Sequence, residues 1–371
     1  MYCIRSLHHS GGMERVLSIK ANWLADHSYE VYIVTERQKG RKPFFSLDER
    51  VKLVDLSDSS FSGSFAGRLA AAVERIAPDI CISLCSNEVY CLPAVSGGRP
   101  CIAEFHFCHD KFYRKYSGLL LRPYARFRTK RLENALKSFD CLVTLTKADM
   151  PQWSDIARQL RQIYNPVTLA DKDESIDNQG NTHSQKRMVA VGRLEDQKNF
   201  KDLIEAWAMV RRKHPDWGLS IFGEGKLREK LSAQIASLGL ADTVRLEGTV
   251  KNLAPEYRKA AALVMSSKHE GFPLVLVEAC SFGLPMIAYD CPTGPSEIIA
   301  DASTDAANGN GYLVEYGNVQ QLAERICETI EDADARERMG RNAKKTAERF
   351  TPSAIMAQWE QLFSDFAGKT I

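Results

Sequence analysis

The feature that most constrains the fold is a repeated alternation of short β-rich runs with amphipathic helical runs. In the first half, helical stretches such as Met13–Asp26 and Phe65–Ile76 separate the β-rich runs. The candidate strands are Tyr2–Ser6, Glu30–Thr35, Val51–Leu53, Ile80–Leu84, Cys101–Phe105 and Cys141–Leu145. Because a helix between consecutive strands is the usual crossover of parallel strands, this order predicts a parallel sheet covered by helices.

The alternation starts again after a polar segment. Ala170–Arg187 has no apolar periodicity, which is typical of an interdomain linker or a disordered loop. At 371 residues the chain is also too long for one ordinary core. We therefore predict an α/β protein of two Rossmann-like domains, residues 1–168 and 188–351, joined by a polar linker at 169–187. Since ligands of such sheets lie outside the carboxyl ends of the strands, both domains are expected to offer loops to a shared cleft.

Composition narrows the class of protein. The chain is 44% hydrophobic and 26% charged, as soluble globular domains are, and its net charge of +2 argues against a general nucleic-acid binder. The sequence has no apolar run of about 18 residues, and its start, "MYCIRSLHHSGG", lacks the apolar centre of a signal peptide, so we expect a cytoplasmic protein. The ten cysteines form no CxxC pair, which favours buried thiols over a zinc site.

Two carboxylates interrupt the apolar stretch "SSKHEGFPLVLVEACSFGLP", Ser266–Pro285. It predicts a strand end, a turn and a helix that starts at Pro273, with Glu270 before the helix and Glu278 inside it. Carboxylates there suit sugar hydroxyls, although Glu270 as a helix cap and Glu278 on the solvent face explain the pattern equally well. The helix N-terminus also predicts an anion site built from backbone amides, those of Gly271, Phe272 and Leu274.

The stretch "VGRLEDQKNF" places two cations between a strand and a helix. Gly192 opens the turn, Arg193 and Lys198 follow, and Asn199 is the expected helix cap. Since Arg binds two oxygens at once and Lys supplies a point charge, the pair suits a diphosphate. The alternative is that both residues form surface ion pairs.

Two further positions lie just after predicted strands in the first half. Gly11 and Gly12 allow a ligand to approach the backbone closely, or simply form a tight turn. They are not a dinucleotide fingerprint, because Arg15 stands where GxGxxG needs its third glycine. His106 directly follows the strand in "CIAEFHFCHD", with His109 three residues on. We choose His106 as the functional candidate because it is nearer the strand end; a structural histidine is the alternative.

The segment from Lys111 to Lys137 is strongly basic. It contains nine Lys or Arg residues and one acid, Glu133, interleaved with aromatic residues and leucines. This composition favours docking on an anionic membrane surface, with a solvated basic face as the alternative. A nucleic-acid partner is not expected, because no recognition motif accompanies the charge.

As an ensemble, these motifs resemble the family-four retaining glycosyltransferases of GT-B fold. The resemblance rests on "GGMERVL", His106, "NPV" at Asn165–Val167, "VGRLEDQKN", "IFGEG", "HEGFPLVLVEACSFGLP" and "GPSEII…NGYLVEYGN". These occur in the expected order over nearly the whole chain. "GGMERVL" with "PTGPSEII" resembles the bacterial members that build lipopolysaccharide, capsule or exopolysaccharide.

The resemblance implies roles for the donor-binding residues. Arg193 and Lys198 would bind the donor diphosphate and stabilise the departing nucleoside diphosphate. Glu278 would hold the ribose hydroxyls and Glu270 the donor sugar. The sugar and phosphate would lie close to the backbone amides of Gly271, Phe272 and Leu274.

The resemblance also implies roles for the remaining positions. His106 would lie near the reacting face of the sugar, and Gly11 and Gly12 beside the phosphates and acceptor. Gly223 would leave room near the nucleotide. The last helix, Pro352–Ala367, would cross back to the N-terminal domain.

The resemblance implies transfer with retention and without a metal or other cofactor, with cations and helix dipoles in the role that a metal has elsewhere. The donor would be a nucleotide sugar, by default a UDP-hexose or UDP-N-acetylhexosamine. The acceptor would be lipid-linked or a polysaccharide or lipopolysaccharide, at the inner face of the cytoplasmic membrane. The alternatives are a sugar-nucleotide epimerase of related fold and a catalytically silent, membrane-bound assembly protein.

Overall fold

The computed structural model describes residues 1–116, 118–170 and 186–367. The chain forms two compact units, one of Met1–Thr168 with Thr351–Ile371 and one of Leu169–Phe350. Most of the polar linker predicted at 169–187 lies outside the described residues. The described part of the second unit resumes at Lys186, one residue before a strand begins at Arg187.

The first unit is built on a seven-stranded parallel sheet of order β3-β2-β1-β4-β5-β6-β7. Its strands are β1 (Tyr2–Ile4), β2 (Tyr32–Thr35), β3 (Lys52–Asp55), β4 (Cys81–Ser83), β5 (Cys101–Phe105), β6 (Cys141–Thr144) and β7 (Leu160–Gln162). Its helices are α1 (Gly12–Asp26), α2 (Phe65–Ile76), α3 (Leu92–Val95), α4 (Lys111–Lys115), α5 (Arg122–Leu136) and the C-terminal α13 (Pro352–Ala367).

The second unit has a six-stranded parallel sheet of order β10-β9-β8-β11-β12-β13. Its strands are β8 (Arg187–Val191), β9 (Gly218–Phe222), β10 (Val244–Gly248), β11 (Ala262–Met265), β12 (Met286–Tyr289) and β13 (Gly311–Val314). Its helices are α6 (Phe200–Lys213), α7 (Arg228–Ser237), α8 (Ala254–Lys259), α9 (Leu274–Ser281), α10 (Pro295–Ile298), α11 (Val319–Glu331) and α12 (Ala333–Ala347).

Both sheets reverse their strand order at a central pair, β1 and β4 in the first unit and β8 and β11 in the second. Where the order reverses, the connections leave the two neighbouring strands toward opposite sides and open a crevice at their carboxyl ends. In the second unit, the two loops that leave this point are Gly192–Asn199 and Ser266–Pro273. These are the loops that carry Arg193, Lys198 and Glu270.

The strands predicted in the first half are present, with a difference of at most two residues at their ends, but one edge strand of each sheet was missed. The edge strand β7 reads "LRQ" and is only partly buried, so it has no apolar signature. The other missed strand, β13, lies at the edge of the second sheet. An edge strand pairs on one side only, and its sequence is correspondingly less constrained.

The C-terminal helix α13 belongs to the first unit, where it packs against α1. Its predicted apolar face is buried, namely Ile355, Trp359, Leu362 and Phe366. Eight of the ten cysteines are buried and all ten are free thiols. None of the described helices combines the length and apolar character needed to cross a membrane.

One buried carboxyl group makes the first unit sensitive to pH. Glu88, just after β4, accepts hydrogen bonds from Ser83 Oγ and the Ser86 amide, both at 2.9 Å. Burial nevertheless raises the pKa of Glu88 to about 7, because the charged form loses its hydration there. Because the folded-state pKa lies above the unfolded value of 4.5, the protonated form of Glu88 favours the folded state. Its contribution to the free energy of unfolding is complete below about pH 4.5 and is lost as the pH rises through about 7.

We therefore expect Glu88→Gln to remove part of the pH dependence of stability. The 2.5-unit difference between 7 and 4.5 corresponds to about 3 kcal/mol across this window. Chemical denaturation of wild type and variant at about pH 5 and about pH 9 measures the difference. The exposed Glu74→Gln on α2 is the control. Equal pH dependence in Glu88→Gln and wild type would contradict the assignment.

Candidate active site

The loop after β8 is held against the loop after β11 by backbone and side-chain hydrogen bonds. Ser266 Oγ donates to the Lys198 carbonyl (2.9 Å), and the Lys268 amide donates to the Gln197 carbonyl (2.8 Å). The side-chain amide of Gln197 donates to the His269 carbonyl (2.9 Å). Since these bonds join loops that are 70 residues apart in sequence, they fix the two halves of the site to each other.

Lys198 and Glu270 form the centre of this arrangement. Lys198 Nζ donates to Glu270 Oε1 at 2.7 Å, and the two side chains are only 16% and 8% exposed. Lys198 is therefore not a surface ion-pair residue, and Glu270 is not a helix cap. The stem of Lys198 crosses the face of Gly192, where an added Cβ would lie 3.0 Å from three of its carbons. Gly192 thus leaves the space through which Lys198 reaches Glu270.

Arg193 behaves differently from Lys198. Its guanidinium lies 3.1 Å from Glu195 Oε2 of the same loop and is 68% exposed. An exposed pair of this kind is weak, so the guanidinium exchanges partners at little cost. The two cations therefore lie on one loop, with Lys198 largely buried and Arg193 accessible to solvent.

The expected cap of α6 is not formed as predicted. Asn199 precedes the helix in the left-handed conformation, with φ of +50°. Its side-chain amide donates to Asp202 Oδ2 at 2.7 Å instead of accepting from a helix amide. The tight turn after Lys198 forces this conformation, which Asn tolerates better than most residues.

Glu278 is buried on α9 and does not face solvent. Its Oε2 accepts a hydrogen bond from the Tyr257 hydroxyl at 2.9 Å. Tyr257 comes from α8, a short helix that the sequence pattern did not reveal, and it is fully buried itself. A buried carboxylate with an oriented donor is a fixed acceptor for hydroxyl groups.

The predicted amide cradle before α9 is only partly available. Pro273 is the N-cap rather than the first helical residue. Its φ of −79° and ψ of 87° close a tight three-residue turn, in which the Leu274 amide donates to the Phe272 carbonyl at 3.0 Å. The Leu274 amide is therefore already engaged, against the prediction. The Glu270 carbonyl accepts from Thr293 Oγ1, which ties this turn to the "PTGPSE" segment after β12.

Gly223 directly follows β9 and has a backbone conformation that residues with a side chain rarely adopt. Its φ is +139°, and an added Cβ would lie 2.8 Å from the carbonyl carbon of Gly192. Its amide donates to the Gly248 carbonyl at 2.8 Å. The glycine thus allows the end of β9 to pass close beside the loop that carries Arg193 and Lys198.

The candidates of the first unit lie at the carboxyl ends of β1 and β5. Gly11 is the N-cap of α1 and Gly12 its first residue. In the first turn of the same helix, burial raises the pKa of Glu14, and a hydrogen bond from its own backbone, together with the nearby His9 and His106, partly offsets that effect. Gly11 and His106 therefore both lie near Glu14.

His106 and His109 have different surroundings. His106 Nε2 lies 3.2 Å from Glu104 Oε1, and its side chain is 5% exposed. His109 Nε2 lies 3.1 Å from Glu133 and its ring packs edge-on against Trp153. His109 is thus engaged with α5 and the β6–β7 connection, which leaves His106 as the histidine at the end of β5.

The second unit pairs Lys198 with Glu270, carries Arg193 on the same loop as Lys198, and places Glu278 on the helix that follows Glu270. Gly11, Gly12 and His106 belong to the first unit. Sequence reasoning missed Gln197 and Tyr257, the partners that hold the second-unit loops and Glu278. Gln197 lies inside the quoted "LEDQK" motif and could have been found there, whereas Tyr257 had no local signal. No cluster of three or more His, Cys, Asp or Glu side chains suited to a metal occurs in the described residues.

The two units contain parallel sheets with the same reversal of strand order, and the first unit also contains the C-terminal helix. This is the architecture of the GT-B fold. Residues 10–171 match the model of "Glycosyltransferase Family 4", and residues 171–346 match that of "Glycosyl transferases group 1". The chain belongs to the family-four glycosyltransferases of GT-B fold and is a nucleotide-sugar-dependent enzyme.

Individual relatives are similar over their full length. The chain is 26% identical over 373 residues to the amylovoran biosynthesis glycosyltransferase AmsD of Erwinia amylovora, covering 97% of this chain and 98% of that protein. It is 26% identical to the Campylobacter jejuni enzyme named "GalNAc-alpha-(1->4)-GalNAc-alpha-(1->3)-diNAcBac-PP-undecaprenol alpha-1,4-N-acetyl-D-galactosaminyltransferase", covering 96% of each.

A solved structure shows the same fold. The structure of S. aureus TarM in complex with fondaparinux, alpha-GlcNAc-glycerol and UDP superposes with a TM-score of 0.77 at 15% identity, covering 98% of this chain and 99% of that one.

We expect Gly223→Ala to destabilise the second unit by about 2 kcal/mol or more, because a methyl group there overlaps Gly192 and the backbone is strained. The matched control is Gly239→Ala, whose φ is +67° but whose Cβ would meet nothing within 4 Å. The control is expected to cost only the backbone penalty, about 1 kcal/mol. Thermal unfolding of both variants measures the difference, and equal losses would refute the steric role of Gly223.

Proposed function

We propose that the enzyme transfers a hexose or N-acetylhexosamine, with retention, from a UDP-sugar to a lipid-linked or polysaccharide or lipopolysaccharide acceptor in cell-surface glycan biosynthesis. The observation that carries the proposal is the buried pair of Lys198 and Glu270 at the reversal point of the second sheet. It provides a cation and a hydroxyl acceptor side by side where α/β sheets bind ligands.

The proposed donor site divides the work among four residues. Arg193 swings from Glu195 to the diphosphate, and Lys198 neutralises the charge that develops on the departing nucleoside diphosphate. Glu270 accepts hydrogen bonds from sugar hydroxyls, and Glu278, oriented by Tyr257, accepts those of the ribose. Burial of the Lys198 ammonium strengthens its interaction with phosphate, since the local dielectric is lower than that of water.

The proposed transfer keeps the stereochemistry of the sugar. The bond between the anomeric carbon and the leaving phosphate oxygen breaks, and the acceptor oxygen forms the new bond on the same face. The acceptor proton passes to the released phosphate oxygen, so no metal or other cofactor is invoked. Activity that persists in excess EDTA supports this proposal, and activity that requires an added divalent cation contradicts it.

UDP is proposed as the nucleotide because it is the nucleotide in the TarM complex. A carbohydrate-polymer or lipid-linked acceptor is proposed because the names of the Erwinia and Campylobacter relatives refer to such products.

Membrane docking is proposed for the exposed surface of Leu120–Arg131, here called the basic face. Leu120 is 94% exposed and Phe127 60% exposed, and they stand among cations of α5. Exposed apolar side chains surrounded by Lys and Arg favour the headgroup region of an anionic bilayer. The proposed location is therefore peripheral, on the inner face of the cytoplasmic membrane.

We expect Arg193→Ala and Lys198→Ala each to reduce turnover by about two orders of magnitude, because each removes an electrostatic stabiliser of the leaving group. Release of UDP from UDP-glucose, UDP-galactose and their N-acetyl forms, with GDP-sugars in parallel, measures the rate and identifies the donor. The matched control is Lys201→Ala, an exposed lysine three residues beyond Lys198. Near-normal rates in both site variants would rule out the diphosphate role.

We expect the basic face to be needed for membrane binding. A variant in which five cations of this face are exchanged for Gln should no longer co-sediment at low salt with vesicles containing phosphatidylglycerol. The exchanged residues are Arg122, Arg126, Arg128, Lys130 and Arg131. The control exchanges five exposed lysines of the second unit, Lys201, Lys226, Lys230, Lys251 and Lys259. If the first variant sediments like wild type, the docking proposal is wrong.

A further inference from the structure

The first unit contains a second buried Lys–Glu pair that the donor site does not use. Lys20 Nζ of α1 donates to Glu104 Oε2 of β5 at 2.6 Å. The two side chains are 1% and 2% exposed, so both charges are removed from water. The other oxygen, Glu104 Oε1, lies 3.2 Å from His106 Nε2. Lys20, Glu104 and His106 thus form one continuous chain of charged and polar groups.

The position of Glu104 relative to His106 follows from strand geometry. Side chains two residues apart along a strand point to the same side of the sheet, so the last part of β5 and the residue after it present Glu104 and His106 together. The Nε2 atom of His106 is fully buried, and its 3.2 Å contact with Glu104 Oε1 is an ion-pair distance rather than a formed hydrogen bond. We take Nδ1 as the ring nitrogen that a bound reactant would meet.

Two aromatic rings also contact the Lys20 ammonium. Lys20 Nζ lies 3.5 Å from the centre of the Trp359 indole and 5.4 Å from that of the Tyr2 ring. An ammonium over an aromatic face gains electrostatic energy, most of all over Trp and away from water. Trp359 belongs to α13, so the C-terminal segment completes the environment of this pair.

The energetics favour a role beyond stability. A buried ion pair contributes little relative to apolar residues of the same volume, because removing two charges from water costs as much as their attraction returns. What the pair does provide is an ionised carboxylate. Burial by itself raises the pKa of Glu104, but its interactions with Lys20 above all, and with His106, outweigh that effect and hold the pKa at about 2. Glu104 is therefore a permanent anion facing His106.

We propose that Lys20 and Glu104, covered by Trp359 of the C-terminal helix, are positioning residues that fix the ring orientation of His106 and its proton on Nε2. Lys20 keeps Glu104 ionised and in place, and Glu104 holds the Nε2 edge of the imidazole. Nδ1 is thereby presented to the reacting sugar in a fixed direction. The inference rests on the proposed function, because the sugar supplies the reason to orient His106.

The first test is a double-mutant cycle on turnover. Glu104→Gln is expected to lower kcat about tenfold with little change in KM, and His106→Ala is expected to lower it at least as much. If Glu104 acts through His106, adding Glu104→Gln to His106→Ala costs no further activity beyond about twofold. Multiplicative losses in the double variant would show that Glu104 acts independently of His106 and would overturn the proposal.

Two further variants separate positioning from folding. Lys20→Met with Glu104→Gln removes both charges together, which preserves the fold better than leaving one charge unpaired. It is expected to show the same loss of kcat as Glu104→Gln alone, and a wild-type kcat would contradict the proposal. Trp359→Phe keeps a ring over Lys20 and is expected to retain most activity, whereas Trp359→Leu is expected to lose it. Equal activity of the two Trp359 variants would remove that residue from the proposal.

A spectroscopic measurement tests the orientation without any assay of transfer. Nitrogen-15 NMR of labelled histidines, with His106 assigned from His106→Ala, is expected to show the proton on Nε2 in wild type and a changed tautomer balance in Glu104→Gln. The control is Glu88→Gln, the same substitution at an equally buried carboxyl group of the same unit. An unchanged His106 signal in Glu104→Gln overturns the inference. If wild type transfers no sugar at all, the proposed function fails, while the NMR result still decides the positioning.

Discussion

The donor site depends on one interaction, the ion pair between Lys198 and Glu270. It joins the loop after β8 to the loop after β11 at the point where the strand order of the second sheet reverses. An isolated buried ion pair would bring little net stability. Here the hydrogen bonds that the Ser266 and Gln197 side chains donate to backbone carbonyls already hold the loops together, so the pair does not have to. It is therefore available to exchange its partner for a ligand.

Much of the fold follows from the local sequence. Fully buried strands such as β5 and β6 are mostly apolar, and their positions were predicted to within about one residue. The edge strand β7 was missed because it is only partly buried and has no apolar run, and the missed strand β13 is buried only at its two ends. The C-terminal helix carried a clear apolar stripe, but which unit it joins was known only from resemblance.

The sequence predicted which residues to consider for the candidate site, but not the contacts that their side chains make. The motif spacing identified Arg193, Lys198, Glu270 and Glu278, yet it left open whether the glutamates were a cap and a surface residue. That question depends on contacts between distant segments, such as Tyr257 with Glu278. Likewise, the loss of the Leu274 amide to the Phe272 carbonyl follows from the backbone angles at Pro273, which a residue type alone does not specify.

The two units use the same pair of residue types in opposite ways. In each unit a lysine and a glutamate form a short, largely buried ion pair near the carboxyl ends of the central strands. Lys198 keeps 16% of its side chain accessible and lies beside a glycine, so a phosphate can reach it. Lys20 is sealed by Trp359, so its charge can act only on Glu104. Exposure of the lysine thus distinguishes the pair that we propose to exchange with ligand from the pair that we propose to orient a neighbouring side chain.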